Sequence, residues 1–472
     1  MKLAMGVFND WLKKVVNEEG KKQPKAILSD PKSKHKKKVV KVEKVEKISK
    51  TSPKSISKKI KKASKKVDSV VVKKTKKVTK KTKPETKKAL VKKTTKKKVD
   101  SIVVKKVRKK VLKKKQEEKK HPDTHKKIKH IVKKFEGNPI IAPSEKNRWE
   151  SKATFNPAVL QAEGKIHLLY RAMGDSDVSV LGYTASNDGF TMTERSDEPV
   201  YFSTKTHEAL KKKNKGKKSP IDYVSGGGLN GGCEDPRLTL IEDTVYLTYT
   251  AFDGWGSLRM ALSSIPLKDF LKKKWNWKKP ITISRPGEIH KNWVLFPEKI
   301  DGKFAVLHSI NPDILIEHLD DLEFNDKEHI DGFFSTQKNK DRWDSWVRGA
   351  GPPPIKTKDG WLLIYHAMDI YNDPDKYKMG AMLLDLKDPQ KIIARSVEPI
   401  LEPDMHYENE GWKSGVSYCC GAVIKDDQLM IYYGGADKYS CVATADADKF
   451  VKPLLKSGKP KVKEKYNTND PN

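Results

Sequence analysis

The sequence contains little cysteine and has no long apolar run. Its 472 residues include four cysteines, none of them in a C-x-x-C pair: Cys233, Cys419, Cys420 and Cys441. This spacing fits no disulfide framework and indicates a reduced, cytoplasmic protein. No stretch approaches the about 20 apolar residues that a membrane helix needs, and residues 1–20 lack the apolar core of a signal peptide. We therefore expect a protein that does not span a membrane.

The sequence also lacks the patterns that hold metals or nucleotides. The cysteines do not have the spacing of metal ligands, and the pair His121 and His125 lies in a Lys-rich region. Residues 226–232 (GGGLNGG) are not followed by the Lys-Ser/Thr of a phosphate-binding loop. We therefore predict no metal and no cofactor.

Acidic residues are scarce in one region only. Residues 1–130 hold 49 Lys and Arg against 12 Asp and Glu, which accounts for the whole formal net charge of +37. Residues 21–129 contain no aromatic residue, so this composition predicts a disordered polybasic tail over 1–130. Two interpretations stay open: salt-sensitive, sequence-independent binding of residues 21–129 to a polyanion such as nucleic acid or an anionic surface, or a solvated tail without a ligand.

The sequence changes character after Asn138, where five pairs of short apolar runs occur between Gly, Asp, Asn and Pro. The pairs are 164–173 with 178–186, 243–252 with 258–265, 302–310 with 313–319, 360–368 with 378–386, and 427–437 with 439–446. Helical periodicity is scarce, so this repetition predicts small antiparallel sheets arranged radially. We predict an all-β fold, a five-bladed β-propeller over residues 131–455, followed by a basic and polar tail over 456–472. A β-sandwich is the alternative.

Five segments carry polar residues that the strand pattern does not require. They are FNPAV (155–159) with Arg171, GGCEDPRLT (231–239), HKNWVLFPEKI (290–300), WVRGAGPPPI (346–355) with His366, and HYENEG (406–411). Loops from every blade of a propeller meet near its central axis. Residues this far apart in sequence can therefore share one site.

The segment GGCEDPRLT places two acids, Glu234 and Asp235, in what its glycines and Pro236 predict to be a tight turn. A carboxylic acid can supply the proton that a glycosidic oxygen needs when its bond breaks. Arg237 could orient that acid, or it could close a purely structural turn by an ion pair. Both interpretations remain open from these residues alone.

A second carboxylate is needed if water is the nucleophile and the configuration inverts, and Asp344 and Glu408 are candidates. Cationic groups are more prominent than acids: Arg171, Lys291, Lys299 and Arg348, with His366. Several cations at one place suit a phosphate dianion, which as a nucleophile needs no base. Each cation alone could be a surface charge, so this interpretation requires that they converge.

Taken together, the motifs resemble glycoside hydrolase family 130, the mannoside phosphorylases and β-mannosidases. They occur in the family's order over residues 138–446: FNPAV…LLYRA, GGCEDPRLT, HKNWVLFPEKI, AVLHSI, GAGPPPIKTKDGWLLIYH, RSVEPILEP…YENEG and YYGGAD. The resemblance implies a five-bladed propeller in which phosphate, the co-substrate, attacks C1 of a β-mannoside with inversion and gives α-mannose 1-phosphate. It implies Asp235 as the general acid, acting through the 3-hydroxyl of the bound mannose. It also implies phosphate binding by Arg171, Lys291, Arg348 and His366.

The predicted substrate-binding set has six members: Asn156, Arg237, Asn292, Asp344, Tyr407 and Glu408. One departure from the family pattern is Ser309, which stands where many family phosphorylases have an Arg that would bind phosphate. Because the other cations are kept, phosphorolysis is favoured over hydrolysis, and HKNW, LHSI and WVRGAG resemble members acting on β-1,2- rather than β-1,4-linked mannosides. A β-mannoside hydrolase, an inactive carbohydrate-binding propeller and a homo-oligomer remain open.

Overall fold

A computed structural model of the chain describes residues 132–202, 230–325, 327–333, 335 and 337–456. The predicted N-terminal tail and residues 457–472 of the predicted C-terminal tail lie outside the described residues.

The described residues form five antiparallel sheets, the blades of a propeller. The chain enters at β1 (Lys133–Lys134) and then builds blade 1 from β2 (Ala153–Ala162), β3 (Lys165–Met173), β4 (Val180–Ser186) and β5 (Glu194–Arg195). Blade 2 consists of β6 (Gly232–Ile241), β7 (Thr244–Phe252), β8 (Leu258–Pro266) and β9 (Ile281–Thr282), with helix α1 (Leu267–Leu271) between its last two strands. Blade 3 consists of β10 (Val294–Leu295), β11 (Phe304–Ile310) and β12 (Ile314–Leu319).

Blades 4 and 5 complete the ring. Blade 4 contains β13 (Trp346–Ala350), β15 (Gly360–Asp369), β16 (Asp373–Leu384) and β17 (Ile392–Arg395), with β14 (Ile355–Thr357) paired to β15. Blade 5 contains β18 (Ser417–Lys425), β19 (Gln428–Gly435) and β20 (Tyr439–Asp446), and helix α2 (Ala447–Lys456) follows it. A short 3-10 turn, His406–Glu408, lies between these two blades.

The five predicted strand pairs are confirmed as β3–β4, β7–β8, β11–β12, β15–β16 and β19–β20. The fold class is therefore confirmed, and the alternative of a β-sandwich is wrong. The sheets do not stack in two layers, because each of the five larger clusters of buried apolar residues lies between two neighbouring blades. Leu169 of blade 1 and Leu247 of blade 2, for example, belong to one cluster. Since both faces of each blade are buried, its strands read as nearly continuous apolar runs.

Blade 5 is completed by the strand that precedes all the others. In β1, Lys134 pairs with Ala443 of β20, so the first strand joins the last blade and closes the ring. The Lys134 ammonium donates to a carboxylate oxygen of Glu408 at 2.5 Å, and Glu408 also accepts from the Tyr433 hydroxyl at 2.8 Å. These contacts fix the closing strand by charge as well as by backbone pairing.

The four cysteines, Cys233, Cys419, Cys420 and Cys441, are all buried. Neither helix of the described part of the chain has the length and apolar character required to cross a membrane.

Candidate active site

The innermost strands of the blades carry bulges at the positions of the predicted site residues. The strand register shifts between Phe155 and Ala158 in β2, and between Glu234 and Arg237 in β6. Segment 231–239 is therefore not the predicted tight turn but an inner strand with a bulge. Asp235 has φ 52°, a left-handed conformation that Asn and Asp tolerate better than most residues. Because a bulge redirects side chains that would otherwise alternate across the sheet, it presents Asp235 toward its neighbours in blade 1.

Asp235 is held by three side chains from two blades. Its Oδ1 accepts from Asn156 Nδ2 at 2.7 Å and from Arg171 Nη1 at 3.1 Å, and its backbone carbonyl accepts from Arg237 Nη1 at 2.6 Å. Asn156 Oδ1 is buried without a hydrogen-bond partner, which is uncommon for a buried acceptor. Gly434 packs directly against this oxygen, since an added Cβ at Gly434 would lie 2.0 Å from it.

Arg171 lies behind the acid and has no exposed side-chain surface. Its Nε donates to Ser179 Oγ at 3.0 Å, and its Nη2 donates to Glu234 Oε1 at 2.7 Å. Its guanidinium group also lies 4.7 Å from the centroid of the Phe155 ring. Arg171 thus meets Asp235 as predicted, but it bridges two carboxylates instead of facing an open site.

Arg237 and Asn292 connect this group to the other blades. Arg237 Nη2 donates to Asn292 Oδ1 at 2.8 Å, and Arg237 Nε donates to the Gly351 carbonyl at 2.9 Å. Asn292 Nδ2 in turn donates to the Arg348 carbonyl at 2.9 Å, and the Tyr418 hydroxyl donates to Asn292 Oδ1. Residues from blades 2 to 5 therefore converge around one buried amide.

Beside Asn292 lies an open cavity, whose about 450 Å³ of empty space includes open solvent. Its lining includes the predicted phosphate-binding residues Lys291 and Arg348, together with Ser309. Arg348 Nε donates to the Tyr377 hydroxyl at 3.1 Å, which orients its guanidinium group. None of the described residues that line the cavity is Asp or Glu.

Burial and charge together set the protonation of the acids. Burial opposes ionisation of Asp235, but Arg171, Lys291 and Arg237 outweigh it and lower the pKa of Asp235. Burial and the negative charge of Asp235 raise the pKa of Glu234 to about 8, despite Arg171. The unliganded site therefore holds Asp235 as a carboxylate next to a neutral Glu234 at neutral pH.

Burial and the positive charge of Arg348 lower the pKa of Lys291 to about 7, although Asp235 acts in the opposite direction. Lys413 also lowers the pKa of Lys291, so a third cation contributes to the field of this site. Sequence reasoning missed Lys413 and Asp437, a buried acid whose pKa is raised by burial. The motif YYGGAD, which ends at Asp437, was the available signal, whereas Lys413 lies in a segment with no distinguishing pattern.

His366 is not brought to the cavity. It is completely buried, with its Nε2 3.0 Å from the backbone nitrogen and 2.8 Å from the carbonyl oxygen of Cys419. Its ring stacks on Tyr418 with centroids 3.9 Å apart. Burial and the charge of Arg237 keep the pKa of His366 well below its usual value. In this structure a neutral, enclosed imidazole therefore packs against Tyr418.

Asp344 lies in a closed ion-pair network. Its carboxylate accepts from Arg342 Nε at 2.6 Å, Arg395 Nε at 2.9 Å and the Tyr365 hydroxyl at 2.6 Å. Although burial opposes it, Arg395 and Arg342 keep the pKa of Asp344 low. No described contact joins this network to Asp235.

The same network occurs in blade 1, built from equivalent residues. Glu150 accepts from the Tyr170 hydroxyl at 2.8 Å and from Arg195 at 2.8 Å. In both blades a tryptophan that precedes the acid stacks on the tyrosine. A feature that repeats between blades serves the fold, so the structure places Asp344 with the packing of blade 4 and not with the predicted substrate site.

Tyr407 and Glu408 also lie in a structural setting. The Tyr407 hydroxyl accepts from Asn138 Nδ2 at 3.3 Å, and the Glu408 carboxylate accepts from Lys134, as described above. Both predicted substrate contacts are thus occupied by the segment that closes the ring.

Comparison with known proteins identifies relatives over the propeller. Residues 116–456 match the family model described as beta-1,4-mannooligosaccharide phosphorylase. The chain is 38% identical over 322 residues to the 1,2-beta-oligomannan phosphorylase of Thermoanaerobacter sp. (strain X514), covering 66% of this chain and 96% of the relative. It is 36% identical over 332 residues to the Beta-1,2-mannobiose phosphorylase of the same strain, covering 67% and 97%.

Among solved structures, the chain is similar to the Beta-1,2-mannobiose phosphorylase from Listeria innocua in complex with beta-1,2-mannobiose. The TM-score is 0.52 at 25% sequence identity, and the match covers 68% of this chain and 99% of the other.

Proposed function

The chain belongs to glycoside hydrolase family 130, and from this premise we propose that it cleaves β-1,2-linked manno-oligosaccharides with inorganic phosphate. The product of inversion is α-mannose 1-phosphate. The relatives at 38% and 36% identity, which span nearly their whole length, both carry β-1,2 names. They favour this linkage over the β-1,4 linkage in the description of the family model.

The observation that carries the proposal is the lining of the cavity beside Asn292. Lys291 and Arg348 line it, and two cations in a confined site can hold a phosphate dianion. A hydrolase with inversion needs a carboxylate that activates water at this place, and no described lining residue is one. Asp344, the candidate base, is engaged by Arg342, Arg395 and Tyr365.

In the proposed reaction a phosphate oxygen forms a bond to C1 of the mannose as the bond from C1 to the glycosidic oxygen breaks. The glycosidic oxygen takes a proton from the 3-hydroxyl of that mannose, and the 3-hydroxyl takes one from the carboxyl group of Asp235. We assign Asn156 and Asn292 the role of orienting the sugar, which is supported by the contact of Asn156 with Asp235 and by the position of Asn292 in the cavity lining.

Asp235 must be protonated for this step, yet the surrounding cations keep it ionised in the unliganded site. A bound phosphate dianion compensates Lys291 and Arg348, so it raises the pKa of Asp235 toward the working pH. Binding of the nucleophile thereby favours protonation of Asp235. This coupling makes phosphate binding a condition of catalysis in addition to its role in bond formation.

The test is incubation of the full chain with β-1,2- and β-1,4-mannobiose, each with and without phosphate. We expect α-mannose 1-phosphate, identified by NMR, with the β-1,2 sugar and only when phosphate is present. Asp235→Asn should remove turnover, and Asp243→Asn, an exposed turn residue of the same blade, should keep it. Equal sugar release without phosphate would favour a hydrolase, and binding without turnover an inactive carbohydrate-binding propeller.

The charge distribution supports a second role for the N-terminal region. Residues 1–130 hold the entire net charge of +37, and we propose that residues 21–129 bind polyanions without sequence preference. We also propose a cytoplasmic location, which the low number of cysteines and their lack of a disulfide-framework spacing support.

A further inference from the structure

Arg348 reaches the cavity from a bulge in β13. The pairing of β13 with β15 shifts in register between Val347 and Gly349, so Arg348 is the extra residue of the bulge and its side chain is redirected. Gly349 has φ 128°, and a Cβ added there would lie 2.8 Å from the side chain of Asn292. Glycine therefore allows the bulged strand to pack directly beside Asn292, where Arg348 joins the cavity lining.

The guanidinium group of Arg348 is held at two places. Its Nε donates to the Tyr377 hydroxyl at 3.1 Å, and its Cζ lies 3.9 Å from the centroid of the Trp346 ring. No described residue accepts a hydrogen bond from its terminal nitrogens, Nη1 and Nη2. These two nitrogens are therefore the donors that Arg348 can offer to an anion in the cavity. A pair of parallel N–H groups of this kind binds an oxyanion in bidentate fashion.

Trp346 contacts this guanidinium group without reaching the cavity. It precedes Arg348 by two residues in β13, and side chains two apart on a strand share one face of the sheet. Trp346 is half-buried and is not part of the cavity lining. Its Nε1 is buried without a hydrogen-bond partner in the described part of the chain. The position therefore does not need tryptophan for a hydrogen bond.

The face of the Trp346 ring contacts cations. Besides Arg348, Lys338 places its Nζ 5.4 Å from the centroid of the same ring. The face of an aromatic ring carries partial negative charge, and its attraction for a cation is stronger where water is excluded. Arg348 is buried, so the contact with Trp346 should restrict its guanidinium group to one orientation. A side chain that is already ordered loses less entropy when it binds a ligand.

We propose that Trp346 is a positioning residue for phosphate, whose ring holds the Arg348 guanidinium group so that Nη1 and Nη2 are both presented to the anion. Trp346 does not touch the phosphate and acts through Arg348. This inference rests on the proposed phosphorylase activity and adds to it a residue that sets the affinity for the nucleophile.

The test compares Trp346→Leu and Trp346→Phe with wild type in the full chain. Trp346→Leu should raise the KM for phosphate by about three- to tenfold, the value of one desolvated contact between a cation and an aromatic ring. The KM for β-1,2-mannobiose and kcat at saturating phosphate should stay within about twofold. Trp346→Phe keeps an aromatic face with a weaker attraction and should raise the KM for phosphate by about two- to threefold. Trp346→Phe tests the inference by itself if Trp346→Leu does not fold.

Trp343→Leu is the matched control. Trp343 lies three residues earlier in the chain, is also half-buried, and its buried Nε1 likewise has no partner in the described part. Its ring stacks on Tyr365 with centroids 6.2 Å apart, and therefore belongs to the network around Asp344. Trp343→Leu should lower stability and leave the KM for phosphate within about twofold of wild type.

A double-mutant cycle separates positioning from general damage to blade 4. If Trp346 acts through Arg348, Trp346→Leu should change the KM for phosphate by less than about twofold in an Arg348→Gln background. Independent effects would instead multiply. An unchanged KM for phosphate in both Trp346 variants, the same factor in the two backgrounds, or an equal effect of Trp343→Leu would overturn the inference.

A wild-type protein that forms no mannose 1-phosphate would refute the proposed function, and calorimetry with inorganic phosphate then tests the role of Trp346 separately. Trp346→Leu should bind phosphate about three- to tenfold more weakly than wild type, and Trp343→Leu should bind it equally well. Equal affinity of Trp346→Leu and wild type, or no phosphate binding by wild type, would overturn the inference.

Discussion

Arg171 and Asp235 are joined by a hydrogen bond of 3.1 Å between a guanidinium group with no exposed side-chain surface and a carboxylate that is 6% exposed. The cation approaches the acid from the protein side, and Glu234 occupies its other nitrogen. Arg171 therefore sets the position and charge of the acid without touching what enters the cavity. This geometry separates its role from that of Lys291 and Arg348, with which sequence reasoning had grouped it.

Substitution of Arg171 should lower turnover and leave phosphate affinity unchanged. Arg171→Lys keeps the charge but cannot reach both carboxylates and Ser179, so we expect kcat to fall by roughly 100-fold, the effect of a displaced catalytic group. The KM for phosphate should change by less than about twofold. Steady-state kinetics with phosphate as the varied substrate measure both quantities.

Arg171→Met provides the complementary measurement on stability. It leaves Glu234 and Asp235 buried without their cation, which costs about 3–5 kcal/mol of unfolding free energy. Denaturant unfolding of Arg171→Lys and Arg171→Met measures the loss of unfolding free energy in each variant. A large rise in the KM for phosphate in Arg171→Lys would return Arg171 to the phosphate site and contradict its role as a positioning residue.

Lys291 and Arg348 should behave in the opposite way. Each is expected to donate charge-assisted hydrogen bonds to phosphate, worth about 1.5–3 kcal/mol, so Lys291→Gln and Arg348→Gln should each raise the KM for phosphate by roughly tenfold or more. His366→Gln is the comparison, because His366 is buried against Tyr418 and neutral. It should affect stability and leave the KM for phosphate near wild type. Kinetics at saturating mannobiose decide between these outcomes.

The strand pairs were predictable because their apolar residues either alternate with polar residues or form continuous runs between turn residues, as in 360–368 and 378–386. The inner strands were not, since β2 and β6 contain Asn156-Pro157 and Asp235-Pro236, which locally indicate turns. Tertiary structure turns these dipeptides into bulges. Polar residues interrupt the apolar pattern of the inner strands, so these strands were not predicted. The same polar residues marked candidate site positions, which is why Asp235, Asn156, Arg237 and Asn292 were selected.

Other site residues could not be assigned from sequence because burial and partners decide their roles. Asp344 and Asp235 are both aspartates in polar motifs, and only the structure shows Arg342 and Arg395 around the first. Similarly, His366 is a cation candidate in sequence and an enclosed neutral ring in the fold. A sequence shows which side chains can carry a charge, whereas only the structure shows which partners compensate that charge and which groups are buried in the neutral form.

Anion binding should weaken as pH rises through about 7, the pKa of Lys291 in the folded protein. Lys291 carries its positive charge below this value and loses it above, while Asp235, whose pKa is lowered, is ionised in the unliganded site over this range. Glu234 ionises near pH 8 and acts in the same direction. We expect competitive inhibition by sulfate, whose charge is constant over this range, to weaken by roughly tenfold between about pH 6 and about pH 8.5.

Lys291→Arg is the matched control for this profile. Arginine stays charged over the whole range, so the inhibition constant of sulfate should lose most of its dependence on pH in this variant. An unchanged profile in Lys291→Arg would assign the titration to another group.

Asp344 should matter for folding and not for turnover. Asp344→Asn removes the charge that compensates Arg395 and Arg342, and we expect a loss of about 3 kcal/mol in unfolding free energy with little change in kcat. Glu150→Gln in blade 1 should behave alike, because Glu150 holds Tyr170 and Arg195 in the same way. Loss of turnover in Asp344→Asn alone, with stability kept, would instead support the hydrolase with Asp344 as base.

The N-terminal region can be removed without loss of catalysis if the cut respects the closing strand. Deletion of residues 1–130 removes the net charge of +37 but keeps Lys134, which pairs with β20 and contacts Glu408. We expect kcat/KM for mannobiose to stay within about twofold, and retention on a heparin column to be lost, because polyanion binding depends on the number of neutralised charges.

Deletion of residues 1–138 also removes Lys134 and Asn138. It should lower the unfolding free energy by several kcal/mol, because it leaves the buried Glu408 carboxylate without its cation and the edge of β20 unpaired. Equal stability of the two truncated proteins would show that β1 does not close the ring.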